Sequence, residues 1–224
     1  MSIQPQSAAL IIGVAGCSGS GKTTLAAELA HVLGGIHFPL DNYYRDLAHL
    51  PPAERAVQNF DDPATIESPL LAAHVAALAR GEAIERPLYD FTTHTRLRDR
   101  TEPIGPAPVV IVEGIFALHY AELLPLYQLS VYVDAPDHIC YQRRLDRDVT
   151  QRGRTPESVR AQWEATVRPS GRRWVQPSAA NASLIIDGTL ELDWKMELVM
   201  RRARTSSGGG KPRQNATSRD QQQV

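Results

Sequence analysis

Gly16-Cys17-Ser18-Gly19-Ser20-Gly21-Lys22-Thr23 matches Gly-x4-Gly-Lys-Ser/Thr, a pattern whose chemistry is the grip on the phosphates of a nucleotide. The glycines let successive main-chain N–H groups turn inward around phosphate oxygens, and a helix starting where the loop ends adds its positive pole. Lys22 is then aimed at the β and γ phosphates and the Thr23 hydroxyl at a divalent cation, while Gly16, Ser18, Gly19, Ser20, Gly21 and Thr24 complete the candidate ATP-binding stretch. A chance match in a chain of this length is on the order of one per cent for average residue usage.

Three carboxylates, Asp41, Glu113 and Asp134, fall where strands should end. Glu113 follows Val109-Val110-Ile111-Val112 and suits a group that holds a metal directly or through water. Asp41, in Leu40-Asp41-Asn42-Tyr43-Tyr44, is placed to face a γ phosphate and to accept the proton of an attacking hydroxyl. In a loose phosphoryl-transfer transition state that proton leaves late, so an ordinary carboxylate suffices. Nine of the twenty-one arginines lie between Arg143 and Arg173, and Arg144, Arg147 and Arg154 recur near one side of a helix and the loop beyond it. Guanidinium groups offer forked donors that match phosphate oxygens, as a basic flap over ATP would need.

Those side chains require a frame. Residues 8–15 read as a strand buried on both faces, 23–33 as a helix ended by Gly34-Gly35, and Ile36 to Leu40 as a strand delivering Asp41. A helix over 66–78, a hairpin excursion over 83–99, strands over 109–112, 129–133 and 183–186, and helices over 137–150, 158–167 and 191–204 follow. The alternation predicts an α/β fold of the P-loop NTPase type, a five-stranded parallel sheet with helices on both faces and active groups at the strands' carboxyl ends. The expected division is one phosphate-loop domain over 1–204, with the hairpin at about 83–100 and an arginine-rich lid at about 143–162, then a disordered basic tail over 205–224.

Composition excludes other classes. The 224 residues are 42% hydrophobic and 22% charged, as globular domains are. Formal net charge is −1, with +5 on residues 201–224 and −6 on the rest, so a general coat for nucleic acid is not expected. Only three of the basic residues are lysines, and neither Lys195 nor Lys211 sits in an Asn/Thr-Lys-x-Asp segment, which argues against a guanine-selective switch. Two cysteines make no disulfide framework, and no apolar stretch is long enough to span a bilayer, so a cytoplasmic protein without a membrane partner is expected.

Further segments complete a pattern: Asp41-Asn42-Tyr43-Tyr44, Asn59-Phe60-Asp61-Asp62-Pro63, Pro87-Leu88-Tyr89-Asp90-Phe91-Thr92-Thr93-His94-Thr95-Arg96, Glu113-Gly114-Ile115, and Arg144-x-x-Arg147-Asp148 followed by Arg152-Gly153-Arg154. From about Ile11 to Gly188 the chain resembles the uridine kinases of the phosphoribulokinase/uridine kinase family. The resemblance implies ATP or GTP as donor, Mg²⁺, and uridine or cytidine as the nucleoside phosphorylated to UMP or CMP. It implies Asp41 as general base, with Lys22 as its catalytic partner at the phosphates, and Thr23, Glu113 and Asp41 at the metal. Asp61 and Arg144 would hold the ribose, Tyr89 and His94 would read the pyrimidine edge, and Phe60, Phe91 and Ile115 would pack on the ring with Arg154 and Gln162 nearby. Arg147 and Arg152 would meet the phosphates, and a homotetramer is the family's common assembly. Asn42, Asp62 and Trp163 depart from the family's usual residues. Two other readings are a kinase of the same group acting on another small-molecule hydroxyl, and a nucleotide-binding regulator using Arg201 to Arg219 on RNA or a partner.

Overall fold

A computed structural model describes residues 8–207. Five parallel strands form the main sheet: β1 (Leu10–Ala15), β2 (Ile36–Pro39), β5 (Val109–Glu113), β6 (Leu129–Asp134) and β7 (Leu184–Asp187), in the order β2-β5-β1-β6-β7. β3 (Ile84–Asp90) and β4 (Thr95–Ile104) pair antiparallel as a separate hairpin, longer at its far end than the expected 83–99. The helices are α1 (Lys22–Val32), α2 (Pro52–Ala56), α3 (Ser68–Ala79), α4 (Asp137–Arg152), α5 (Pro156–Gln162) and α6 (Leu192–Ser207).

The sheet is buried on both sides, which is why its strands read as unbroken apolar runs instead of alternating ones. Ile11, Val110 and Val112 enter a core with Leu71, Val75 and Leu78 of α3, whereas Ile12, Ile111 and Val131 enter a second core with Leu25 and Leu29 of α1 and Met196 and Val199 of α6. Register lines up the strand ends: Val14 and Pro39 both pair with Glu113, and Asp134 pairs with Asp187. The chain leaves β1 toward β2 and β5 on one side and fills β6 and β7 on the other. The crevice above this switch point is where an open α/β sheet binds its ligand.

Two helices also differ from expectation. The helix read at 158–167 starts instead at Pro156, because Thr155 accepts the Ser158 N–H as an N-cap and proline suits the first turn. It also does not stop, and the chain coils on through π-type turns at 163–167 and 171–175 and a 3₁₀ turn at 176–181. Pro169 and Pro177 donate no N–H, so the regular ladder is interrupted and the coil widens. The last helix runs to Ser207, so residues 205–207 of the expected tail are helical, since a final turn needs only its main-chain bonds. Residues 208–224 of that tail lie outside the described residues.

Candidate active site

The phosphate loop joins β1 to α1 in the middle of the crevice. Gly19 has a left-handed φ of 88°, and a Cβ there would stand 2.2 Å from the carbonyl oxygen of Cys140 in α4, so only glycine lets the loop pass this helix. Arg143 holds the outer side, donating to the carbonyls of Ser20 (3.3 Å) and Gly188 (3.0 Å), and Lys195 reaches Gly188 as well. The first turn of α1 carries no acidic residue, and its N-cap, Gly21, offers no side chain to the leading N–H groups. That end of the helix is therefore left for an anion. The Ser20 hydroxyl is buried with no protein partner.

Glu113 gathers the groups beneath the loop. Its Oε1 accepts the Thr23 hydroxyl at 2.9 Å and lies 3.9 Å from Lys22 Nζ, while Oε2 is 3.2 Å from His37 Nε2. Burial works against its charge, yet these partners hold the carboxyl below its usual range, so it stays ionised. His37 was not found from the sequence. Its mark is a polar residue in an apolar strand, paired with Ile111 and so on the face that Glu113 shares two residues later.

Asp41 leaves β2 in a 3₁₀ turn spanning Leu40–Tyr43. Its side chain keeps contact with solvent in the crevice, but protein surrounds it closely enough that desolvation, with the negative Glu113, raises its pKa from 3.8 to about 6. Lys22, Arg152 and Arg147 act in the opposite sense, which puts the loop lysine and two of the α4 arginines within electrostatic reach of Asp41. Thr24 faces outward on α1, and Asp134 sits beyond β1 on the far side from Asp41, its main chain accepting the Gly188 N–H.

Oxygen donors in this number suit Mg²⁺, which takes one or two carboxylates with phosphates and water instead of a full protein cage. Among the described residues no group of three or more His, Cys, Asp or Glu forms such a cage. Thr23 and Glu113 stand side by side here, with Asp41 within electrostatic reach of Glu113.

The arginines converge on one buried carboxylate. Asp148 has no exposed surface, and Arg144, Arg147, Arg152 and Arg154 all lie within ion-pair distance of it. Arg144 also donates to Ser18 Oγ in the phosphate loop at 2.8 Å and to Gln162 Oε1 at 2.8 Å, and Gln162 takes a second bond from Arg154. Arg144 is itself buried, so it does not lie on a solvated helix face.

Beside this cluster the hairpin brings rings together. His94 stacks on Phe60 with centroids 4.7 Å apart, and Tyr44 touches both Phe60 (5.3 Å) and Tyr89 (5.5 Å). His94 holds a left-handed φ of 55°, the one non-glycine residue with positive φ among those described. Tyr89 is buried with its hydroxyl unpartnered. Phe91 stands exposed near the hairpin tip against Tyr89, and Ile115 is partly buried against the core. Asp61 accepts the Thr166 hydroxyl at 2.9 Å; it makes no direct bond to Arg144, although that charge reaches it, and burial raises its pKa. Two departures have local structural work: Asp62 caps the turn at Pro63–Thr65 through the Ala64 N–H, and Trp163 packs with Cys140, Val167 and Tyr141.

Residues 11–193 match the model of the phosphoribulokinase/uridine kinase family. The chain belongs to that family. Curated relatives named uridine kinase come from Chloroflexus aurantiacus, 43% identical over 80% of this chain and 87% of the relative, and from Salmonella paratyphi B, 42% identical over 79% and 86%. The D-glycerate 3-kinase of Cryptococcus neoformans aligns in three dimensions with a TM-score of 0.54 at 19% identity, covering 80% of this chain and 82% of that one, a likeness of fold. Within the phosphoribulokinase/uridine kinase family match lie the phosphate loop, Asp41, Glu113, the aromatic hairpin and the arginine cluster. No described helix is long and apolar enough to cross a membrane.

Proposed function

We propose that this chain transfers the γ-phosphoryl group of ATP, or of GTP, to the 5′-hydroxyl of uridine or cytidine, giving UMP or CMP for pyrimidine salvage in the cytoplasm. One observation carries the reading from the structure. Tyr44, three residues after Asp41 and within its field, packs its ring on both Phe60 and Tyr89, so the ring-binding surface adjoins the group that faces the phosphates. The relatives named uridine kinase support the choice of acceptor.

On this reading the loop amides, Lys22, Arg147 and Arg152 bind the phosphates and spread the charge of the transferring group. Asp41 accepts the proton of the 5′-hydroxyl. A carboxyl titrating near 6 is mostly ionised at neutral pH and is a stronger base than an ordinary aspartate. Asp61 and Arg144 hold the ribose, while Tyr89 and His94 meet the base edge with Phe60, Phe91 and Ile115 around the ring and Arg154 and Gln162 beside it. Thr23, Glu113 and Asp41 would hold Mg²⁺, which would supply neutralisation of charge on the phosphate oxygens. We assign these parts to one kinase domain over 1–204.

The test is turnover by the purified protein on uridine, cytidine, adenosine, nicotinamide riboside, pantothenate and ribulose 5-phosphate with ATP. Phosphorylation of the two pyrimidine nucleosides is expected, and turnover on another acceptor in their place would overturn the assignment.

A further inference from the structure

Asp148 divides its carboxylate between two groups of ligands. Oδ1 receives Arg147 Nε (2.9 Å) and Nη2 (2.8 Å) and Arg152 Nη1 (3.2 Å). Oδ2 faces Arg144 Nε (3.5 Å) and Arg154 Nη1 (3.4 Å). Arg147 and Arg152 of the first pair reach Asp41 electrostatically, whereas Arg144 and Arg154 of the second share Gln162 on the acceptor side, Arg144 bridging from there to Ser18 Oγ of the phosphate loop (2.8 Å). The main-chain carbonyl of the same residue accepts the N–H groups of Gly153 and Arg154, which fixes the turn between the pairs.

The stoichiometry leaves the cluster short of anions. Four guanidinium groups lie within ion-pair distance of one fully buried carboxylate, and the other carboxylates they feel, Asp61 at Arg144 and Asp41 at Arg152, act from outside the cluster. Screening is weak at the buried Asp148 and Arg144 and stronger at the partly exposed Arg147, Arg152 and Arg154, so the carboxylate's charge is divided among competing partners. Arg144 Nε is buried and completes no hydrogen bond, although Oδ2 is 3.5 Å away, so the acceptor side is held incompletely in this arrangement. Phosphate oxygens that draw Arg147 and Arg152 off Oδ1 free carboxylate charge for Arg144 and Arg154.

We propose that Asp148 is a positioning residue that couples nucleotide binding to acceptor binding by sharing its two oxygens between their arginines. The proposal rests on the assignment of the two sites made under Proposed function. Binding of either ligand frees Asp148 to orient the arginines of the other, and the coupling is reciprocal by linkage.

Calorimetric titration tests it with the full chain, Mg²⁺, β,γ-imido-ATP and uridine. In the wild type each ligand tightens the other's Kd by about fivefold or more, the lower end of ordinary coupling between sites. Asp148→Asn, which keeps the shape and removes the charge, should bring this factor below about two while each ligand alone still binds; a merely structural role would weaken both ligands and leave their ratio alone. Asp148→Glu should restore part of the factor. A folded D148N with the wild-type factor, or a wild type without coupling, would overturn the proposal.

If D148N does not fold, Arg152→Met and Arg154→Met carry the test, since both side chains reach solvent. Each should lower the coupling factor, and the double variant should lower it no further than the stronger single, because both act through one carboxylate. Additive losses would refute it. Wild-type turnover is measured first: none on uridine or cytidine would remove the functional assignment and this proposal together, whereas turnover with unaltered coupling in the variants removes the proposal alone.

Discussion

Glu113 and Asp41 face one crevice in opposite electrostatic states. Lys22, Thr23 and His37 surround Glu113 and keep it ionised, and its charge then adds to desolvation in lifting Asp41 to about 6. The two carboxylates are separated in strength by their environments, the arrangement by which one site keeps a fixed anion and a usable base.

Asp41→Asn should leave nucleotide binding within about threefold and lower kcat at least about a hundredfold, the lower range for loss of a general base. In the wild type kcat/KM should fall with acid as Asp41 takes up its proton, and the variant's residual rate should lack that limb. Initial rates from pH 5 to 8, with calorimetry for ATP, check both parts. Retained turnover would remove Asp41 from the role.

The same shift predicts a stability effect of reversed sign from the usual aspartate. With a folded pKa near 6 and an unfolded value of 3.8, the native state holds the proton more tightly, so the carboxyl destabilises the fold once it ionises. Its favourable share is fully present below about pH 4 and is lost as pH rises to about 6. Asp41→Asn should therefore melt above the wild type at pH 7.5, with the gap closing at pH 4. Thermal melts at the two pH values decide it.

The phosphate loop, the five strands and the carboxyl-end placement of Asp41 and Glu113 were legible because each is written in contiguous residues: a glycine spacing, an apolar run, a residue just after it. What was not legible came from register and from the third dimension. His37 joins Glu113 only because β2 pairs with β5 two residues back from the strand end. Nothing in the arginine-rich run around Asp148 marks it as buried, yet it is, because α5 and the turn at Gly153 fold Arg154 and Gln162 over it. The boundary at 158 failed where Thr155-Pro156 announces the helix start, and its continuation through Pro169 runs against the usual reading of proline as a stop.

Gly19 and Gly34 separate packing from backbone strain. Both have positive φ, 88° and 60°, but a Cβ on Gly34 meets nothing within 4 Å, whereas on Gly19 it meets the Cys140 carbonyl at 2.2 Å. Gly34→Ala should cost about 1 kcal/mol, the strain alone. Gly19→Ala adds a clash with helix main chain, which cannot rotate away, and should cost about 3 kcal/mol in all and weaken ATP binding at least about tenfold. Urea melts and ATP titrations of both variants make the comparison.

Tyr89 sets stability against binding. Its ring is buried between Tyr44 and Phe91, and its hydroxyl has no partner in the protein, a buried polar group left unpaired. Tyr89→Phe removes that hydroxyl without changing the packing, so stability should be unchanged or rise by about 1 kcal/mol. If the hydroxyl waits for the pyrimidine edge, the same variant should raise KM for uridine about tenfold, the worth of one hydrogen bond at about 1.4 kcal/mol, with the KM for ATP unmoved. A loss of stability with both KM values unchanged would make Tyr89 a packing residue only.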